Sequence, residues 1–302
     1  DGGQENEALT ASLNPSTGDA AMNKILVCTD GSAYSFVCYD YAAWMAQRTG
    51  ASLEILYVSD LRQFEVPMVA DLSGSLGVQP YQAVLGKLQE FEQERAKAIL
   101  EQARKHFAAK ALPAGATFTH KLGFLVDTFH DFEAHVDLIM LGKRGENANF
   151  ATAHLGSTME RVVRASHKPC LVTSRAFKPV ERALFAYDGS KSCQKALEFL
   201  STSSAFKDLE LHLVTVAARN EEEAALKTLQ AAEGVLRAAG CAPVCQMLVG
   251  VADNEISTYV EGRGINLLIM GAYGHSRIRQ LIIGSTTTAM IRRCKVPVLL
   301  FR

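Results

Sequence analysis

Apolar residues along the chain fall into two alternating textures, short unbroken runs of strand length and longer stretches at helical spacing. Lys24–Thr29 is the first run and stops at Asp30-Gly31-Ser32; Ala33–Thr49 then carries apolar residues on a helical period and ends at Gly50. The pattern goes on to predict a strand over 52–58, a long charged-faced helix over 81–110 and a strand over 117–121. It continues with a helix over 125–134, a strand over 136–141, a helix over 157–166 and a strand over 169–173. The second half reads the same way, with strands at 182–187, 209–216, 243–249, 266–271 and 296–301 and helices at 191–204, 221–239, 253–262 and 285–293. Strands alternating with helices predict a parallel sheet covered on both faces, the doubly wound α/β class.

The two halves are copies. Lys24–Ser32 aligns with Arg182–Ser190 at an offset of 158, Leu138–Gly142 with Leu267–Gly271 at 129, and Gly156–Arg164 with Gly284–Arg292 at 128. The matches keep their order, and the fall of 29 in the offset gives the first copy extra residues. They belong near 61–88, where Pro67, Gly74, Gly77 and Pro80 mark a long loop leading into a helix. The expected organisation is a first domain over 22–176, a short linker with Pro179 over 177–181, and a second domain over 182–302. Residues 1–21 are polar, Met22 reads as a natural start, and the segment before it is expected to be an extension or expression remnant outside the fold.

Composition narrows the class. With 31 basic and 32 acidic residues the chain lacks the basic surplus of a generic nucleic-acid binder, so no specific nucleic-acid partner is expected. No stretch reaches the ~18 consecutive apolar residues of a membrane span. Seven scattered cysteines, odd in number and without a CxxC pair, fit buried thiols in a reducing, cytoplasmic compartment. Cys241 and Cys245 straddle Pro243 with no histidine cluster to complete a zinc site.

Candidate chemistry follows the fourth strand of each copy. The second copy reads Gly271-Ala-Tyr-Gly274, then nine residues to Gly284-Ser285-Thr286. Gly271 and Gly274 sit where the carboxyl edge of the sheet opens, allowing close backbone approach to a ligand. Gly284, Ser285 and Thr286 precede a helix, whose free N–H groups and positive dipole end favour phosphate; an ordinary glycine turn with a serine cap is the plainer alternative. Asp188, at the tip of the first strand, should face the same crevice, because strands one and four flank the switch point. Its carboxylate can accept from ribose hydroxyls, or merely turn the chain and cap the next helix.

These residues make the chain resemble a tandem universal stress protein of the UspA family over residues 22–302. The resemblance implies two flavodoxin-like, adenine nucleotide α-hydrolase-like domains, each a five-stranded parallel sheet, in a stress-response protein that binds ATP, with or without Mg²⁺. It implies that Asp188 meets the ribose or adenine and that Val216 lies against the adenine. Gly271, Gly274, Gly284, Ser285 and Thr286 would hold ribose and phosphates, with Arg277 and Arg279 within reach of phosphate or simply solvated. It also implies pairing through the last strands, 168–173 and 295–301, satisfied within one chain or in a homodimer.

The first copy departs from the motif. Ten residues, not nine, separate Gly142-Lys143-Arg144-Gly145 from Gly156-Ser157-Thr158, and Glu146 falls in the loop. Asp30, Val58 and Lys143 are compatible with a nucleotide, so the second site is expected to bind better than the first. Three functions remain open: a nucleotide-binding regulator, an enzyme on the same scaffold, and a structural pseudo-dimer without ligand. The turns at Asp30 and Asp188 lack the serine- and glycine-rich loop of pyrophosphatase-type ligases. Neither a P-loop nor a GxGxxG after the first strand is present. No catalytic set is assembled, and with no evident base beyond Asp188 any hydrolysis should be slow. His275, beside the phosphate loop, is read as a surface or capping residue, and His130 and His135 as structural.

Overall fold

The computed structural model describes residues 22–60, 78–145, 157–272 and 284–302. The first copy contains β1 (Lys24–Thr29), α1 (Ala33–Thr49), β2 (Ser52–Ser59), α2 (Val78–Ala108), β3 (Ala116–Leu122), α3 (Leu125–Glu133), β4 (Leu138–Gly142), α4 (Ser157–Ala165) and β5 (Cys170–Thr173). The second contains β6 (Arg182–Ala186), α5 (Lys191–Thr202), a 3₁₀ turn (Ser204–Phe206), β7 (Glu210–Ala217), α6 (Glu222–Ala238) and β8 (Val244–Val249). It ends with α7 (Ala252–Gly262), β9 (Leu267–Gly271), α8 (Ser285–Arg293) and β10 (Val298–Phe301).

The ten strands of the described residues form one sheet in the order β3-β2-β1-β4-β5-β10-β9-β6-β7-β8. Within each copy every pairing is parallel, and the copies repeat each other's register: Ile25 faces Leu138 as Ala183 faces Leu267. The join is different, since β5 and β10 pair antiparallel, with Leu171 against Leu299. Alternate strand residues feed two cores. Ile25 and Val27 of β1 enter one with α1, α2, α5 and α6, while Leu26 and Cys28 enter the other with α3, α4, α7 and α8. Both cores run across the join, so neither copy completes its hydrophobic interior alone.

Element boundaries shift from expectation for identifiable reasons. The long helix starts at Val78 rather than 81, because Pro80 falls in its first turn, where a backbone N–H has no intrahelical partner to lose. The helix therefore covers the end of the expected loop, and the rest of that loop, 61–77, lies outside the described residues. The helix expected to 204 stops at Thr202, where extended Ser203 takes over and its Oγ accepts from the Ala205 amide at 3.3 Å. Strand pairing at β5 and β10 begins only after Pro169 and Pro297, which lack an N–H but use their carbonyls to accept from Ile139 and Leu268, each at 3.0 Å. Much of the first copy's extra length sits in α2, at 31 residues against 17 for its counterpart α6. None of the helices among the described residues is long and apolar enough to cross a membrane.

Candidate functional site

Parallel pairing brings the carboxyl ends of three neighbouring strands to one edge in each copy. In the second copy Ala186 pairs with Val214 on one side and Met270 on the other. Val216, Asp188 and Gly271 therefore emerge side by side just beyond. In the first copy Thr29 pairs with Tyr57 and Val27 with Met140, which sets Val58, Asp30 and Gly142 at the matching edge. Val58 and Val216 are half-buried, Asp30 is half-buried, and Asp188 is exposed.

Each aspartate organises the turn behind it. Gly31 and Gly189 adopt φ +76° and +75°, a left-handed backbone that L side chains rarely take. Ser190 N donates to Asp188 Oδ1 at 2.9 Å, and Ser32 N donates to Asp30 Oδ1 at 3.0 Å. The helix caps then differ. Ser190 Oγ accepts from the Cys193 amide at 3.4 Å. Ser32 Oγ is buried without a hydrogen-bond partner among the described residues, while Ser35 Oγ donates to Asp30 Oδ1 at 2.8 Å. Ile99 of α2 also closes over the first-copy turn: a side chain at Gly31 would put its Cβ 2.8 Å from Ile99 Cγ1.

The strand-end glycines turn out to serve helix packing. A Cβ at Gly271 would strike Ser192 Oγ and lie 3.1 Å from Cys193 Sγ, so glycine here lets β9 pass the start of α5. Gly142 passes Tyr34 in the same way, with a Cβ position 3.0 Å from Tyr34 Cβ. Gly145 has a different neighbour. Its Cβ position lies 2.6 Å from Asp30 Oδ2, so the loop after β4 presses against the first copy's aspartate.

The start of α8 is tied to the end of β9. Gly284 N donates to Ala272 O at 3.1 Å, and buried Thr287 donates from Oγ1 to Gly271 O and Ala272 O at 3.2 and 3.3 Å. Ser285 stays exposed and Thr286 half-buried at that helix end, beside Gly271. Thr287 was not singled out in the sequence, and its signal is weak: one threonine in a run of three. The repeat-equivalent Met159 is a buried apolar residue, so that position offers no such tie among the described residues of the first copy.

Gly274, Arg277, Arg279 and His275 lie outside the described residues, as do Gly156 and Glu146. Ser157 opens α4. Lys143, read in the sequence as compatible with a nucleotide, donates from Nζ to Arg292 O and Cys294 O of the second copy, at 2.9 and 3.0 Å. Burial, opposed by Cys294 and reinforced by Arg144 and Arg175, pushes its ammonium down to about 8. A cavity of about 440 Å³ opens nearby at the seam, lined by Tyr41, Ser174, Lys178, Arg293 and Lys295. It is separate from both strand-end crevices. The described residues contain no cluster of histidine, cysteine and carboxylate groups suited to a metal ion.

The sequence profile of the universal stress protein family matches residues 22–174 and 179–302. A universal stress protein of Synechocystis sp. is 45% identical over 287 residues, covering 93% of this chain and 100% of that protein. Among solved structures, a universal stress protein from Archaeoglobus fulgidus superimposes with a TM-score of 0.68 over 93% of this chain and 98% of its own, at 23% identity. A second, from Pseudomonas aeruginosa, gives 0.58 over 93% of each chain at 16% identity.

Proposed function

The chain belongs to the universal stress protein family, and from that premise we propose that it is a stress-response regulator whose second copy binds ATP or another adenine nucleotide. The observation that carries this reading is the shared strand edge of Val216, Asp188 and Gly271, with the N-terminus of α8 tied alongside by Thr287. On this reading the half-buried Val216 supplies an apolar wall for the adenine, and the exposed Asp188 carboxylate accepts from ribose hydroxyls. The amides opening α8, with Ser285 and Thr286, meet phosphate oxygens at the positive end of the helix dipole. The sequence motif adds Gly274 and Arg277 to the proposed site. Mg²⁺, were it to accompany the triphosphate, would be held by the hydroxyls of Ser285 and Thr286 and would supply charge neutralisation. Asp188 is committed to ribose, so hydrolysis is slow or nil.

The first copy offers a weaker site built on Asp30, Val58, Gly142, Gly145, Gly156 and Ser157. Gly145 already crowds the Asp30 carboxylate, Lys143 is spent elsewhere, and the tie made by Thr287 has no counterpart at Met159 among the described residues. We take 22–176 and 182–302 as the two units, acting in the cytoplasm. Among the described strands, β3 and β8 are the outer edges left for strand pairing in a homodimer.

Calorimetric titration with ATP tests the reading. One dominant site is expected, weakened at least tenfold by Asp188→Ala and abolished by Gly284→Val, with little change on Asp30→Ala. Absence of heat at millimolar ATP would sink the proposal. Rapid multiple turnover would move the protein to the enzyme class.

A further inference from the structure

Two cations cross between the copies and end on equivalent carbonyls. Lys143, directly after β4, donates to Arg292 O and Cys294 O at the C-terminal end of α8. Arg302, directly after β10, donates from Nη1 to Arg164 O at 2.6 Å and Ser166 O at 3.5 Å, at the C-terminal end of α4. The repeat offset of 128 maps Arg164 onto Arg292 and Ser166 onto position 294. The donors are unrelated by the repeat, since the residues matching Lys143 and Arg302 are Ala272 and Ser174. The same pair of carbonyls has been answered twice from different parts of the chain, which points to a requirement of the helix end.

That requirement has a physical basis. The last carbonyls of a helix lack intrahelical donors and carry the negative end of its dipole, so a cation there satisfies both hydrogen bonding and charge. Within α8's own chain the Cys294 amide reaches Met290 O at 2.9 Å, leaving Arg292 O and Cys294 O for Lys143. α8 has nine residues, so it is a rigid rod only about 13 Å long. Fixing one end fixes where the other end points.

We infer that Lys143 is a positioning residue for the adenylate site of the second copy: by clamping the C-terminal end of α8 it holds Gly284, Ser285 and Thr286 at the strand edge, and Arg302 does the same for α4. The inference rests on the nucleotide reading above. Lys143 also belongs to the Gly142–Gly145 segment of the first copy's own site, so the loop of one site holds the phosphate helix of the other. The groups facing its ammonium are Cys294 after α8, Arg144 beside it and Arg175 after β5, and burial pushes the lysine down to about 8.

The test uses the full chain carrying Asp30→Ala to silence the first site. Lys143→Met is expected to weaken ATP binding about three- to tenfold and to speed amide hydrogen exchange in the last turn of α8, while Lys143→Arg preserves both. ATP affinity of the parent should also fall as pH rises from 7 to 9, and Lys143→Arg should flatten that profile. This arm needs no destabilising variant. In a parent that binds ATP, unchanged affinity in Lys143→Met or a profile with no step near pH 8 overturns the inference, whatever the exchange shows. If the parent binds no ATP, the nucleotide reading fails and exchange alone decides. Faster exchange rescued by arginine then supports the clamp, and unchanged exchange overturns it.

Discussion

A buried carboxylate is costly unless its lone pairs are filled, and Glu133, 8% exposed, fills them from one turn of chain. Its Oε1 accepts from Ser166 Oγ at 2.7 Å and from the amides of His167 and Lys168 at 2.5 and 3.2 Å, while Oε2 faces His130 Nδ1 at 3.2 Å. Burial alone would raise its pKa, but the bonds from Ser166, the His167 amide, His130 and the His167 ring carry it down to about 2. The folded value lies below the unfolded one, so this stabilisation is complete above pH 4.5 and is lost as pH falls toward 2. Glu133→Gln should cost about 1–3 kcal/mol at pH 7 in urea titrations, the gap to wild type narrowing below pH 4.5. His130 thus does the structural work its sequence position suggested. The thiols divide as sharply. Burial pushes Cys38 and Cys170 up to about 12 and also raises Cys241 and Cys245, the latter to about 11, so what separates Cys241 and Cys245 is that they are only half-buried and reachable by a reagent. Native protein should therefore expose two thiols to a disulfide reagent, with the other five reacting only on unfolding. More than two fast thiols would contradict the packing.

At the scale of elements, α8 shows how a helix start becomes a fixed point. Thr287→Val keeps the shape and removes both bonds to the carbonyls of Gly271 and Ala272. The expected outcome is about 1–2 kcal/mol lost in thermal unfolding and a several-fold loss of ATP affinity, because the helix start is no longer tied to the strand end. Gly271→Ala should be worse than the usual glycine-to-alanine change, since the added methyl meets Ser192 and Cys193 at the start of α5. The strands were legible because parallel strands buried on both faces read as unbroken apolar runs, and the duplication checked each prediction against its copy. Boundaries were less so. Pro80 looked like a loop marker but stands in the first turn of α2, and Ser203 ended α5 by a local cap that periodicity does not register. The aspartates and strand-end glycines were also legible, but the physical reason for Gly271 was not, because Ser192 lies 79 positions away in the chain.

For the whole molecule, the pairing of β5 with β10 decides cooperativity. Leu171 and Leu299 face each other across the join, each 1% exposed, and Tyr41 of α1 ties the strand end to the connecting segment through the Lys178 amide at 3.2 Å. Leu299→Ala should cost about 2–5 kcal/mol and lower the stability of both copies together. The single tryptophan, Trp44, reports on the first copy while circular dichroism reports on both. Their denaturation curves should coincide in the parent and shift in step in the variant; separated curves would mean that the copies unfold independently. The partners of Lys143 were not legible in the sequence, since they lie 149 and 151 positions away and no local pattern points across that span.

The antiparallel join has one more consequence. Because β10 runs against β5, the strand tips of the two copies open toward opposite rims of the sheet. At about 4.8 Å per strand, the ten-stranded sheet is about 45 Å across. One flat partner surface cannot inspect both crevices at once, and one ligand cannot bridge them. The molecule is thus a two-ended object, whose two crevices face solvent on opposite rims and must be reached from opposite sides.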